Sequence, residues 1–323
     1  MDKTTTKTVL AIDIGGTFTK LGLVNREGQI LNSKVFNTKA KKPFSQFKEK
    51  LGKEIQLLIS TLYSPEDLMA IGIGAPNADY KTGEMKYPPN FSWGTTVPVR
   101  SAVVSVIDRP VFMTNDANAA ALGELYFGAA KGLDHFVVLT LGTGLGSGII
   151  VSGKLLYGHN GMAGELGHVN VVPGGRQCNC GLKGCLETYA SVTGIKRTVF
   201  DLLAESNAES VLRNYSFKKL TGIAISEAAH QNDVVALEAF DRTARVLGNK
   251  MADTVAHLEP EAFILSGGLS QAGDIFLKPL QKYMEDALFS AYKGNVKIIL
   301  SASASHEAVL GPAALAWQGL EGP

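Results

Sequence analysis

Asp13-Ile14-Gly15-Gly16-Thr17-Phe18-Thr19-Lys20 and, far along the chain, Leu141-Gly142-Thr143-Gly144-Leu145-Gly146-Ser147-Gly148 decide the reading of the fold. Each follows an apolar, strand-like run, Thr8 to Ile14 and Phe136 to Leu141, and each leads into a second run, Lys20 to Val24 and Gly148 to Val151. Paired glycines between two such runs mark a tight corner, since glycine adopts turn conformations without steric cost. A third strand follows in both places, Gln29 to Phe36 and Lys154 to Tyr157.

Outward from the first corner, Phe44, Phe47, Leu51, Ile55, Leu58 and Leu62 recur at three and four residues, the spacing of an amphipathic helix, and Met69 to Gly74 is a buried strand. Outward from the second, Leu237, Phe240, Ala244, Leu247, Met251, Val255 and Leu258 form another helical stripe before the strand Ala262 to Ser266, which closes on Gly267-Gly268. The same order twice predicts an internally duplicated α/β fold of two mixed sheets in two lobes that close on a ligand from both sides. A length of 323 residues suits two domains, and 45% hydrophobic with 19% charged residues suits large cores.

Thirty-one Lys plus Arg against 30 Asp plus Glu leave a net charge of +1, so no general field favours nucleic acid or an anionic membrane. The basic run Lys39, Lys41, Lys42 reads as a solvated loop. Met1 to Thr8 is polar and the run after it breaks at Asp13, which argues against a signal peptide. The uncharged stretch His135 to Gly153 is too rich in glycine and hydroxyl residues for a membrane span. Three cysteines, an odd number, point to a reducing compartment, and a cytoplasmic protein is expected.

Without Cβ atoms, glycine corners let backbone amides approach an anion closely, and Thr17 and Thr19 add hydroxyl donors, so phosphate is the natural guest. A tight hairpin also needs glycine for steric reasons alone. Two corners suit successive phosphates of one nucleotide, with Gly267-Gly268 admitting the flat adenosine. Neither a P-loop nor a Rossmann glycine string occurs.

The three cysteines, Cys178, Cys180 and Cys185, lie together with His168 upstream. Three thiolates and an imidazole make a closed tetrahedral zinc site, with Gly181 and Gly184 allowing the loop to fold around the ion; a reduced thiol cluster or a redox pair is the alternative. Asn115-Asp116 stands between the strand-like Val111 to Thr114 and a helix starting near Ala117. There an acid serves either as a helix cap or, in phosphoryl transfer, as the carboxylate that orients an alcohol and takes its proton.

In order, Asp13 to Lys20, Leu141 to Gly148 and Leu265 to Ser270 resemble the two phosphate motifs and the adenosine motif of the actin-like ATPase superfamily, whose lobes are ribonuclease H-like and which includes sugar kinases. Gly164-Glu165-Leu166-Gly167-His168 followed by Cys178-Asn179-Cys180-Gly181-Leu182-Lys183-Gly184-Cys185-Leu186-Glu187 resembles the signature of the ROK family (repressors, open reading frames, kinases). The resemblance implies a small lobe of residues 1–118 plus 306–323, including a C-terminal helix after His306. It implies a large lobe of residues 119–305 carrying a zinc knuckle at 168–187.

It further implies Asp116 as catalytic base and Asn90, Asn115, Asp116, Glu165, His168 and Glu187 around a sugar, with the second nitrogen of His168 facing it. ATP would meet Asp13, Gly15, Gly16, Thr17, Thr19, Lys20, Gly142, Thr143, Gly144, Gly267 and Gly268, and Asp13 would help position Mg²⁺ through water. Zn²⁺ on His168, Cys178, Cys180 and Cys185 would be structural, since four protein ligands leave no open position. Asn77 stands where the family often has Gly, a departure at the sugar lip.

These features lead to an ATP-dependent hexokinase of carbohydrate metabolism acting on the 6-hydroxyl of glucose, a homodimer or homotetramer with no nucleic-acid or membrane partner. N-acetylglucosamine, N-acetylmannosamine, mannose or fructose is the alternative substrate. A sugar-sensing ROK regulator is the alternative of another class; it would need a helix-turn-helix before the first corner, where only Met1 to Ile12 stands. Because the corners lie on hairpins of their own, zinc loss is expected to disturb sugar binding much more than ATP binding.

Overall fold

The computed structural model describes residues 7–302 and 308–322. In chain order the elements are β1 (Thr8–Ile14), β2 (Phe18–Asn25), β3 (Ile30–Asn37), α1 (Phe44–Ile59), β4 (Leu68–Gly74), β5 (Ala78–Asp79), β6 (Glu84–Lys86), β7 (Thr96–Val97), α2 (Val99–Val104), β8 (Val111–Thr114) and α3 (Asp116–Tyr126). There follow β9 (Phe136–Leu141), β10 (Leu145–Val151), β11 (Lys154–Leu155), α4 (Val192–Glu205), α5 (Gly222–His230), α6 (Val234–Leu258), β12 (Ala262–Ser266), α7 (Asp274–Ala287), β13 (Lys297–Leu300) and α8 (Leu310–Glu321).

Two five-stranded sheets have the orders β3-β2-β1-β4-β8 and β11-β10-β9-β12-β13. Position by position the orders correspond: β1 pairs antiparallel with β2 and parallel with β4, while β9 pairs antiparallel with β10 and parallel with β12. The duplication inferred from the two corners is therefore a duplication of sheet topology. A separate three-stranded sheet, β5-β6-β7, lies within residues 78–97, between β4 and α2. Strands of two and three residues are too short to show a period.

The chain divides into two compact units, Met1–Leu133 with Gly153–Ala163 and Ala302–Pro323, and Asp134–Ser152 with Gly164–Ser301. The sequence boundary at residue 118 falls inside α3, which packs along its length on α8 in the first unit. His306, from which the C-terminal segment was counted, lies outside the described residues.

In the first unit the pleat of β1 sorts its side chains to two cores. Leu10, Ile12 and Ile14 join Phe47, Leu51, Ile55 and Leu58 of α1 on one face. Val9 and Ala11 join Ala313, Ala316 and Trp317 of α8 on the other. Gly72 of β4 admits α8 to close range, since a Cβ there would overlap the Pro312 carbonyl. Helix α1 ends at Ile59, before Leu62, which nevertheless packs against the same core from the turn that follows. In the second unit the α6 stripe buries Phe240, Ala244, Leu247, Met251 and Val255. Leu237, expected in that stripe, is on the exposed flank instead. Among the described residues no helix is long and apolar enough to cross a membrane.

Candidate active site and metal centre

At the first corner the Gly15 amide donates to the Phe18 carbonyl at 3.0 Å, closing the turn between β1 and β2. Thr38, just beyond β3, braces it: its hydroxyl donates to the Gly15 carbonyl at 2.7 Å and its amide to the Thr17 carbonyl at 2.8 Å. Thr19 is fully buried and shares a 2.9 Å hydrogen bond with the Thr38 hydroxyl, so it supports the corner from inside. The expectation of a Thr19 donor turned to phosphate is corrected here, because the β2 pleat points this side chain into the protein. Thr17 is exposed, and a Cβ on Gly16 would find open space.

Asp13, the second-last residue of β1, lies 3.9 Å from Lys20 of β2. Its carboxyl is raised to about 6, chiefly by burial and further by the charge of Asp116, with the Lys20 ammonium acting in the opposite direction. The charges of these two acids, near the end of β1 and at the start of α3, therefore interact. At the start of α3 the cap is Asn115, whose side chain accepts from the Asn118 amide at 2.6 Å. Asp116 is thus the first helical residue rather than the cap, and one of its carboxylate oxygens accepts from the Ala117 amide at 2.9 Å. Its surface is exposed, yet desolvation by the protein packed around the carboxyl raises its pKa, the hydrogen bonds of the Ala117 and Asp116 amides acting in the opposite direction. An exposed carboxylate of raised pKa has the properties of a general base.

Asn90 is exposed between β6 and β7 at φ 68°. Asn77 has φ 49° and donates from its side chain to the Tyr87 carbonyl at 3.1 Å, so asparagine meets there the left-handed conformation that suits glycine. A residue the sequence did not single out supports the α3 start: Tyr157 stacks on Tyr80 at 4.2 Å and hydrogen-bonds Thr114, the residue before Asn115. Two tyrosines distant in sequence carry no spacing signal.

The second corner, Gly142 to Gly144, joins β9 to β10. Gly142 has open space where a Cβ would stand, and Thr143 is exposed. The Gly142 carbonyl accepts from the Val192 amide at 2.9 Å, and the Leu141 carbonyl from the Leu269 amide at 3.1 Å. The Leu145 amide donates to Glu187 Oε2 at 3.0 Å. Gly267 has φ 94° and packs on the Leu141 backbone. Beside Gly268, a cavity of about 390 Å³ is lined by Ile223 and Glu227 of α5, by Gln231 just after it and by Gln271. The α5 wall escaped the sequence reading because its residues form no motif.

The knuckle brings together the residues its spacing suggested. The ligand atoms of His168, Cys178, Cys180 and Cys185 lie within 4.8 Å of one another, with Cys180 and Cys185 sulfurs 3.6 Å apart and Cys178 Sγ 3.8 Å from His168 Nδ1. Tetrahedral zinc with bonds of ~2.0–2.3 Å sets ligand atoms roughly 3.5–3.8 Å apart, so the donor set fits the ion. Burial pushes the Cys178 thiol up to about 12, which a divalent cation would reverse. Gly184 has φ 82°, and a Cβ there would strike the Val172 carbonyl. Arg176, not noticed in the sequence, anchors the loop: its guanidinium bonds the Thr188 and Gly194 carbonyls and Asp201, and lies 4.5 Å from the Tyr189 ring centroid. Glu165 precedes the short helical turn Leu166–His168 and His168 ends it, the His168 amide donating to the Glu165 carbonyl at 3.0 Å.

Asn90, Asn115 and Asp116 thus belong to the first unit, and Glu165, His168 and Glu187 to the second.

Residues 9–319 match the model of the ROK family. The chain belongs to that family. A glucokinase of Thermotoga maritima is 35% identical over 309 residues, 95% of this chain and 96% of that protein. The crystal structure of a ROK family glucokinase from Streptomyces griseus in complex with glucose and AMPPNP is 36% identical, covers 97% of this chain and 100% of its own, and superposes with a TM-score of 0.79. A xylose repressor of Caldicellulosiruptor bescii is 31% identical over 94% of this chain and 76% of its own length. The duplicated sheets are the actin-like ATPase class of fold that ROK proteins share, and the Cys₃His cluster fits a zinc site.

Proposed function

We propose that this ROK protein is an ATP-dependent kinase that transfers the γ-phosphoryl group of ATP to the 6-hydroxyl of glucose, yielding ADP and glucose 6-phosphate. The observation that carries this reading is Asp116: Asn115 caps α3 in its place, leaving an exposed carboxylate of raised pKa at a strand-to-helix junction beside Asp13 and the first glycine corner.

Asp116 orients the sugar hydroxyl and accepts its proton as the oxygen–phosphorus bond forms and the bond to ADP breaks. Gly15, Gly16 and Thr17, with Gly142, Thr143 and Gly144, present backbone amides and hydroxyls to the phosphates, and Lys20 adds a positive charge beside Asp13. Gly268, next to Gly267, borders the cavity for the adenosine. Mg²⁺ bound with ATP would supply neutralisation of the phosphate charge, and Asp13 would help to hold it through water. Asn90, Asn115, Glu165, His168 and Glu187 grip sugar hydroxyls, for which amides, imidazole and carboxylates are suitable partners. Zinc holds the knuckle and takes no part in the chemistry.

A sugar panel with coupled ADP detection tests the proposal. ADP should form from MgATP only with a hexose present, with glucose ahead of mannose, fructose and the N-acetylated sugars. Tight sugar binding without ADP release from any of them would transfer the protein to the sugar-responsive regulators, the class of the xylose repressor it resembles.

A further inference from the structure

We propose that Glu187 is a positioning residue for the nucleotide phosphates, and that the metal state of the knuckle sets the shape of the second glycine corner through it. The proposal rests on the reading of that corner as a phosphate site. Three observations within the second unit carry it.

First, the Glu187 carboxylate reaches in two directions. Oε2 accepts the Leu145 amide at 3.0 Å, while Oε1 stands 3.7 Å from Cys178 Sγ, one of the four metal-site atoms. Secondly, the corner is shaped to receive this side chain: a Cβ on Gly144 would collide with Glu187 Oε2. The glycine at this position is therefore needed for close approach of the carboxylate. Thirdly, the backbone that follows Glu187 holds the other end of the corner. The Ser191 hydroxyl donates to the Glu187 carbonyl at 2.7 Å and accepts the Gly194 amide at 3.0 Å, capping α4, and the Val192 amide takes the Gly142 carbonyl at 2.9 Å.

Gly142 and Leu145 are thus both tied to the segment Glu187 to Val192, which begins two residues beyond the metal-site residue Cys185. With the Gly142 carbonyl engaged, its oxygen is withheld from an incoming anion. Release of Cys185 and Cys178 from a shared ion would free the segment that fixes these two anchors, so the proposal departs from the expectation that ATP binding is nearly independent of zinc.

The test uses the full chain and three states: zinc-loaded Glu187→Ala, zinc-loaded Glu187→Gln, and wild type stripped by a chelator, each checked for metal content and for folding by circular dichroism. Two quantities are read without sugar, the affinity for AMPPNP by calorimetry and the hydrogen exchange of the Leu145 amide. Glu187→Ala should speed exchange at Leu145 and weaken AMPPNP at least tenfold with zinc still near one per chain. Glu187→Gln keeps a carbonyl acceptor for Leu145 and should restore both readouts to near wild type, a rescue that general loosening of the fold would not produce. Zinc-free, folded wild type should resemble Glu187→Ala at Leu145 and in AMPPNP affinity.

AMPPNP affinity within twofold of wild type and unchanged Leu145 exchange in Glu187→Ala would overturn the positioning role. Unchanged exchange in zinc-free folded protein would overturn the metal link. Should zinc-loaded wild type bind no AMPPNP, the phosphate reading itself fails, and with it the nucleotide role of Glu187; the exchange readout, which needs no ligand, still decides for or against the link to the metal.

Discussion

The two glycine corners occupy equivalent places in two sheets of the same order, yet they are held by different chemistry. The first is braced by a neutral residue of its own sheet region, Thr38, whose hydroxyl and amide take the Gly15 and Thr17 carbonyls. The second is braced by a carboxylate, Glu187, and by the Val192 amide, both from the segment that leaves the knuckle. Topology therefore repeats where the support does not. The first corner lies beside the candidate base and senses its charge; the second is attached to the Cys₃His cluster.

The largest effect should come from the chemistry beside the first corner. Asp116→Asn should lower turnover by at least the ~10²–10⁴-fold typical of a lost general base, while sugar affinity, titrated directly, changes far less. A variant that keeps a tenth of wild-type turnover, a loss of only about 1.4 kcal/mol on the barrier, would return this acid to a purely structural role at the α3 start.

Next come matched glycine substitutions. Gly16→Ala and Gly142→Ala add a methyl group where the protein has open space, so both should melt at or slightly above the wild-type temperature. Both should weaken AMPPNP about tenfold or more, because the methyl group occupies room needed by an anion. Gly144→Ala should behave differently: its methyl group strikes Glu187, so the melting temperature should fall as well. Equal melting temperatures for Gly142→Ala and Gly144→Ala would remove the contrast between open and braced positions.

The smallest effect concerns pH and only the first corner. Asp13 is raised from 3.8 to about 6, chiefly by burial, so between those values the native protein holds a proton that the unfolded chain has released. Native stability from this group is greatest below about 4 and is lost as pH rises through about 6. Asp13→Asn, which cannot ionise, should therefore melt a little higher than wild type above pH 6, with the difference shrinking toward pH 4. Melting curves across this range check it; a difference that grows toward low pH has the wrong sign for a buried, raised carboxyl.

Much of this was legible in the sequence where chemistry is local. The strands Thr8–Ile14, Phe136–Leu141 and Ala262–Ser266 have the bounds their apolar runs suggested, and the knuckle assembled from spacing alone. Short loops closed by Gly181 and Gly184 leave thiols and imidazole few other arrangements. What escaped were interactions between distant residues. Thr19 looked like a phosphate donor from its neighbours, but strand pleat and Thr38 turned it inward. Asn115 and Asp116 are both good caps, and only the backbone at the α3 start decided that Asn115 caps and Asp116 is left exposed.

By itself, then, the sequence determined the duplicated αβ order, the glycine corners and the metal-ligand set, because each depends on periodicity or on spacing within a few residues. Only the tertiary structure decided what supports each corner. Thr38 reaches Gly15, Glu187 reaches Leu145, and Arg176 reaches Asp201 across separations at which no pattern in the chain specifies a partner. Such pairs are chosen when packed sheets and helices bring buried polar groups within hydrogen-bonding distance, since a buried carbonyl or amide left unpaired costs roughly 1–3 kcal/mol.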